Sequence, residues 1–105
     1  MSKYKIFPDY TSTGVWLIKE EESTSFYSQF CRHVSCELPD YVPNSLKIAL
    51  QYWHDVWELN MNDNYEWESS VKFRKCWYNH GKEIVEELNA LGVDLYIYDV
   101  NSREI

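Results

Sequence analysis

Apolar residues recur along this chain with two periods, two and about 3.6, and each change of period marks a new element. Residues 3–8, KYKIFP, are rich in aromatic and β-branched types and stop at Pro8, which predicts a first strand. The run DYTSTG, 9–14, is turn chemistry. GVWLI, 14–18, predicts a second strand, and KEEES, 19–23, a solvated loop. Residues 24–38, TSFYSQFCRHVSCEL, read two ways. Phe26, Phe30 and Val34 are spaced for a helix, whereas Val34, Cys36 and Leu38 alternate as in a strand. A short helix followed by an extended segment accommodates both.

From Pro43 the helical period dominates. Pro43 suits a first helical position, where its missing N–H costs nothing. Leu46, Ala49, Leu50, Trp53, Val56 and Trp57 then form one apolar stripe, with Asp55 and Glu58 off it. NMNDN, 60–64, is a connector. A second helix is expected from Tyr65 or Trp67 to Leu91, with Phe73, Trp77, Gly81, Ile84, Leu88 and Leu91 as its apolar stripe. Gly81 on that stripe invites close approach by another element, and Gly92 is a C-cap glycine. VDLYIYDV, 93–100, alternates as a closing strand.

The predicted order is β, β, an ambiguous piece, α, α, β. A helix-to-strand return can lay the last strand beside the first, in parallel. The expectation is an α+β fold: a small sheet of about three strands with two main helices packed on one face. Its 105 residues make a single globular domain, 1–105.

Composition narrows the function. Apolar residues are 45%, which excludes a disordered acidic tail. The net charge of −7 disfavours nucleic acid and anionic membranes as ligands and favours a basic protein partner. No apolar run reaches membrane-helix length, and the first residues lack a hydrophobic signal core. Three cysteines, an odd count, then read as reduced thiols in a cytoplasm.

Catalytic motifs are sparse. Only Gly14, Gly81 and Gly92 are present, so phosphate-binding glycine loops are absent. Cys31, Cys36, Cys76 and His80 provide a permissive zinc set, but the cysteines read more simply as small buried hydrophobes. A Cys76–His80 nucleophile pair lacks an orienting third group and a helix N-terminus to activate the thiol. His54, Asp55 and Glu58 lack the second histidine of a metalloenzyme helix, and His54 is expected to face solvent. No enzyme, no resident metal and no cofactor are expected.

The stretch WHDVWELNMNDNYEWES, 53–69, stands apart. Between Ile48 and Val71 there are five acids, Asp55, Glu58, Asp63, Glu66 and Glu68, and no lysine or arginine. Trp53 and Trp57 belong to the core stripe, and Glu66 and Glu68 suit the first turn of the second helix. Tyr65 and Trp67 sit among carboxylates, where a partly exposed aromatic serves as an interface anchor for a basic partner. The candidate partner-binding set is therefore Asp55, Glu58, Asp63, Tyr65, Glu66, Trp67 and Glu68. The clusters Glu20–Glu22 and Glu83, Glu86 and Glu87 read as solvated faces.

The motifs FPDYTSTGVW, then ELP and LKIALQYWHDVW, then GKEIVEELNALGVDLYIYD follow one another in an order that resembles small bacterial immunity proteins of polymorphic and contact-dependent toxin systems. Residues 19–36 have no counterpart in that pattern. The resemblance implies a cytoplasmic protein that acts by binding a cognate toxin, a basic nuclease being the partner that suits its charge, with no catalytic residues to carry over. Three other readings compete: a phage or mobile-element inhibitor that mimics nucleic acid, a small Cys/His zinc domain, and a structural subunit whose exposed aromatics form a homodimer.

Overall fold

The computed structural model describes residues 1–19, 33–62, 64 and 66–101. Its elements in chain order are β1 (Lys3–Ile6), β2 (Val15–Ile18), β3 (His33–Cys36), α1 (Asn44–Asn60), α2 (Val71–Ala90) and β4 (Leu95–Tyr98). The fold is α+β, with a four-stranded mixed sheet in the order β3-β2-β1-β4. β1 pairs with β2 antiparallel and with β4 in parallel, Tyr4 lying opposite Tyr96. The expected parallel return is therefore present. The sheet has one strand more than expected, because the extended half of the ambiguous segment pairs with β2, Val15 opposite Cys36. The short helix expected before it, like the loop at 20–23, lies outside the described residues.

Strand alternation and register put Tyr4, Ile6, Val15, Leu17, Cys36, Tyr96 and Tyr98 on one face of the sheet. That face meets both helices, since the Tyr98 ring packs against Trp53 of α1 and Tyr78 of α2. Ile6, Val15 and Tyr96 join Leu50, Trp53, Trp57, Trp77, Ile84, Val85 and Leu88 in one core.

The two helices are clasped by a pair of tryptophans. The Trp53 and Trp77 rings stack at 4.6 Å and 6°. Each indole N–H donates to the other residue's carbonyl, at 3.1 Å from Trp53 and 2.8 Å from Trp77. Both indoles are buried with their one donor satisfied, so no polar cost offsets their apolar burial. Gly81 makes the clasp possible. A Cβ there would lie 2.5 Å from both Trp53 Nε1 and Tyr98 Oη.

Helix boundaries depart from expectation in instructive ways. Pro43 precedes α1 instead of opening it, and its carbonyl accepts the Leu46 and Lys47 N–H groups. α2 begins later than expected, at Val71, because Ser70 Oγ caps the Phe73 N–H at 3.2 Å. Glu66 and Glu68 are thus not in its first turn. They lie in the connector, where Met61 and Trp67 form a lone bridge and Glu68 N–H donates to the Asn60 carbonyl. Phe73 and Leu91, expected in the core, are exposed at the two ends of the α2 stripe. Among the described residues no helix is long and apolar enough to cross a membrane.

Candidate functional site

The outer surface of α1 carries a ridge that the core does not use. Ile48, Tyr52, Asp55 and Leu59 recur at steps of four, three and four, so they project from one side of the helix. Ile48, Tyr52 and Leu59 are 67%, 64% and 82% exposed. Beside the ridge, Tyr52, Val56, Phe73, Cys76 and His80 line a shallow apolar groove of about 170 Å³ between the helices. Three large apolar side chains standing in water along one side of a helix make this ridge the candidate contact surface.

Of the predicted partner-binding residues, Asp55 and Glu58 lie on α1, and Glu66, Trp67 and Glu68 in the connector that follows it. Asp55 is exposed on the ridge, and Glu58 is half-exposed one turn along. Glu66 and Glu68 are exposed in the connector. Trp67 is half-buried, its ring edge against Trp77 at 4.9 Å, so it props the tryptophan clasp from outside. Asp63 and Tyr65 lie outside the described residues. Ile48, Tyr52 and Leu59 fall outside the acid-aromatic pattern of the sequence and beside the stronger inward stripe. Their own helical spacing was the available signal.

The zinc set does not assemble. Cys36 is half-buried on β3, where burial pushes its thiol above the ordinary value. Cys76 and His80 are exposed on α2, which corrects the expectation of a buried Cys76. Cys31 lies outside the described residues. Among the described residues no cysteine belongs to a potential metal-ligand cluster, and no hydrogen bond joins Cys76 to His80.

His54 overturns the expectation of a solvent-facing side chain. It is 3% exposed. Leu50, His54 and Trp57 are spaced four and three apart, which puts His54 on the edge of the inward stripe. The turn after β1 receives the ring. His54 Nε2 lies 2.9 Å from the Asp9 carbonyl and 3.3 Å from Ser12 Oγ. Ser12 Oγ–H is itself donated to the Asp9 carbonyl at 2.9 Å. Gly14, at φ +81°, closes the turn, and a Cβ there would sit 2.9 Å from the imidazole Cδ2. Tyr10 secures the same turn, packing on Trp57 and donating its hydroxyl to the Asn62 carbonyl at 3.1 Å. Asp9, Ser12 and Gly14 lie forty or more residues before their histidine, so no local spacing announces them.

Between this turn, the loop before α1 and α1 itself lies a cleft of about 410 Å³, with Glu37, Asp40, Lys47, Gln51 and Asp55 among its lining. Acids outnumber the single lysine in that group.

A second polar chain ties the sheet's far end. Tyr41 Oη–H donates to Asp94 at 2.8 Å, and the Tyr96 hydroxyl lies 2.6 Å from Tyr41 Oη. Asp94 also accepts the Ser2 N–H at 2.8 Å. Burial first, and then the neighbouring Tyr41, push the Tyr96 phenol far above the ordinary tyrosine range. Such a phenol serves as a fixed donor and is poorly suited to acid–base work near neutrality.

Compared with known proteins, the chain matches no protein-family model and no curated relative.

Proposed function

We propose that this protein is a cytoplasmic immunity protein that binds and neutralises a cognate bacterial toxin domain, one with a basic surface such as a nuclease. The observation that carries the reading is the α1 ridge, where Ile48, Tyr52 and Leu59 stand in water around Asp55. Burying those three side chains against a partner would recover roughly 1.5–3 kcal/mol for each one fully covered, before the costs of association. The groove between the helices adds an apolar seat for one partner side chain. Charge sets the sign of that partner. No lysine or arginine lies between Ile48 and Val71, and the whole chain carries −7. Complementary fields steer a basic domain toward this side and repel nucleic acid. The resemblance of the FPDYTSTGVW, LKIALQYWHDVW and GKEIVEELNALGVDLYIYD stretches to immunity proteins supplies the toxin-neutralising setting.

The test is calorimetric titration of this protein into the product of the gene immediately upstream, at low and high salt. Tight binding that weakens as salt rises and is lost in Leu59→Asp supports the proposal as stated. Salt-insensitive binding retains neutralisation but moves recognition from the carboxylates to the apolar ridge. Absence of binding to that product, with the protein folded, overturns the cognate-pair reading.

A further inference from the structure

The cleft between the β1–β2 turn and α1 is built as a socket, with a floor of core residues under a charged rim. Lys47, Gln51 and Asp55 recur at steps of four, so one side of α1 supplies one wall. Ser12 and Thr13 of the turn, with Glu37 and Asp40 of the loop before α1, supply the other. The floor between them is apolar. Val15 and Leu50 are each 2% exposed and belong to the core, and Leu38 packs against it. At about 410 Å³ the cleft falls within the range of about 300–1,000 Å³ typical of pockets that enclose a ligand.

The walls set the sign of the guest. The Ser12 hydroxyl proton is committed to the Asp9 carbonyl and that of Thr13 to the Cys36 carbonyl, so toward the cleft both groups act as acceptors. Glu37, Asp40 and Asp55 stand against the single Lys47. Among the described residues none of these four side chains is engaged in a hydrogen bond or ion pair. Charge alone would not define a site: Glu83, Glu86 and Glu87 are as acidic, yet they line neither this cleft nor the groove between the helices. The combination of an apolar floor and an acceptor-rich rim does. A bare metal ion would find no oxygen on that floor. A side chain with an apolar stem and a cationic head matches both parts. Arginine suits them better than lysine, because its planar fork of donors can bond acceptors on two walls at once.

We propose that this cleft is a socket for an arginine side chain of the partner protein. The inference rests on the reading of the outer surface of α1 as the partner-facing side. Asp55 belongs both to the ridge and to the rim of the cleft, so a domain that covers the ridge also covers the mouth of the socket. Lys47 works against the guest and tempers its affinity.

The deciding experiment needs no toxin. N-acetyl-arginine amide is titrated into the full, reduced, isotope-labelled chain and followed by NMR, with N-acetyl-citrulline amide as the uncharged control of the same shape. The amide signals of Thr13, Leu38 and Gln51 should shift together with one dissociation constant, and the citrulline probe should bind more than about tenfold more weakly. Asp40→Asn and Asp55→Asn should each weaken binding several-fold, whereas Lys47→Gln should strengthen it. These three side chains reach solvent and make no internal bonds, so the variants fold, and circular dichroism checks that they do. Absence of any shift overturns the proposal. So do citrulline shifts as large as those of arginine, shifts of equal size around Glu83, Glu86 and Glu87, or affinity unchanged in all three variants. A chain that binds the upstream product but not the arginine probe keeps its neutralising role and loses the socket. A chain that binds the probe but not that product keeps the socket and loses the cognate pair.

Discussion

One helix, α1, shows two faces that solve different problems. Inward, Leu50, Trp53 and Trp57 are almost fully buried, and Trp53 has its donor and carbonyl engaged by Trp77. Outward, Ile48, Tyr52 and Leu59 are about as apolar, yet they stand in water. The inner face is constrained by shape, because stacked rings and a glycine leave no slack. The outer face is free of such constraint inside the molecule, which leaves it open to the partner contact proposed for it. Hydrophobicity alone does not separate core from contact surface here. Satisfaction of the inner residues by named partners does.

The sharpest way to break the contrast is to delete its inner half. Trp53→Ala removes the stacked ring, the indole donor to Trp77 and the contact with Tyr98 together. It should cost about 3–5 kcal/mol, measured by urea unfolding. That is a large share of the stability expected for a domain of this size. A loss below about 1 kcal/mol would mean the clasp is not where the inner face draws its strength.

A smaller blow to the same clasp comes from adding one carbon. Gly81→Ala would place a methyl 2.5 Å from both Trp53 Nε1 and Tyr98 Oη. Ala is the better helix former by about 0.8–1.0 kcal/mol. Overpacking against two buried rings should outweigh that gain and destabilise by roughly 1–3 kcal/mol. A stabilised variant would show that the helices can part without penalty.

That glycine was legible in the sequence, because a residue lacking a side chain on an apolar stripe has few other uses. So were the inward stripe of α1, which rests on periodicity over many residues, and the parallel pairing of first and last strands, which rests on the helix-to-strand return. β3 was only half legible, since Val34, Cys36 and Leu38 carry too short an alternation to outweigh a competing helical spacing. The late start of α2 was marked by Ser70 three residues before Phe73, a weak signal beside the aromatic connector. The exposed carboxylates of the candidate surface were readable from the missing lysines. The seat of His54 was not. It depends on a turn forty-five residues away, and only the fold brings Asp9 to the ring.

A third probe uses pH on the sheet side of the core. Burial, above all, lifts the phenols of both Tyr96 and Tyr98, with Tyr41 adding to the first and Tyr78 to the second. An ordinary tyrosine ionises near about pH 10. Above that value the unfolded chain loses protons that the folded chain keeps, so stability falls as pH rises. Below it, these two groups contribute no slope. Unfolding free energy should therefore drop between about pH 9.5 and 11, and less steeply in Tyr98→Phe. An equal slope in that variant would remove Tyr98 as a source.

The smallest effect on stability is expected where the largest effect on binding is. Leu59 is 82% exposed, so Leu59→Asp removes almost no intramolecular contact. Its unfolding free energy should stay within about 0.5 kcal/mol of the parent. Ile48→Asp should behave alike. If the ridge is the partner-facing surface, a central apolar anchor lost from it should cost about 2 kcal/mol or more of affinity. Charge reversal at Asp55, by contrast, should cut the association rate and its salt dependence before it touches dissociation, provided that carboxylate lies at the rim. The two faces of α1 then separate cleanly by measurement. Inner changes move the unfolding midpoint, whereas outer changes leave it in place and move affinity. Should Leu59→Asp instead unfold the protein, the ridge is supporting the fold, and its exposure says nothing about a partner.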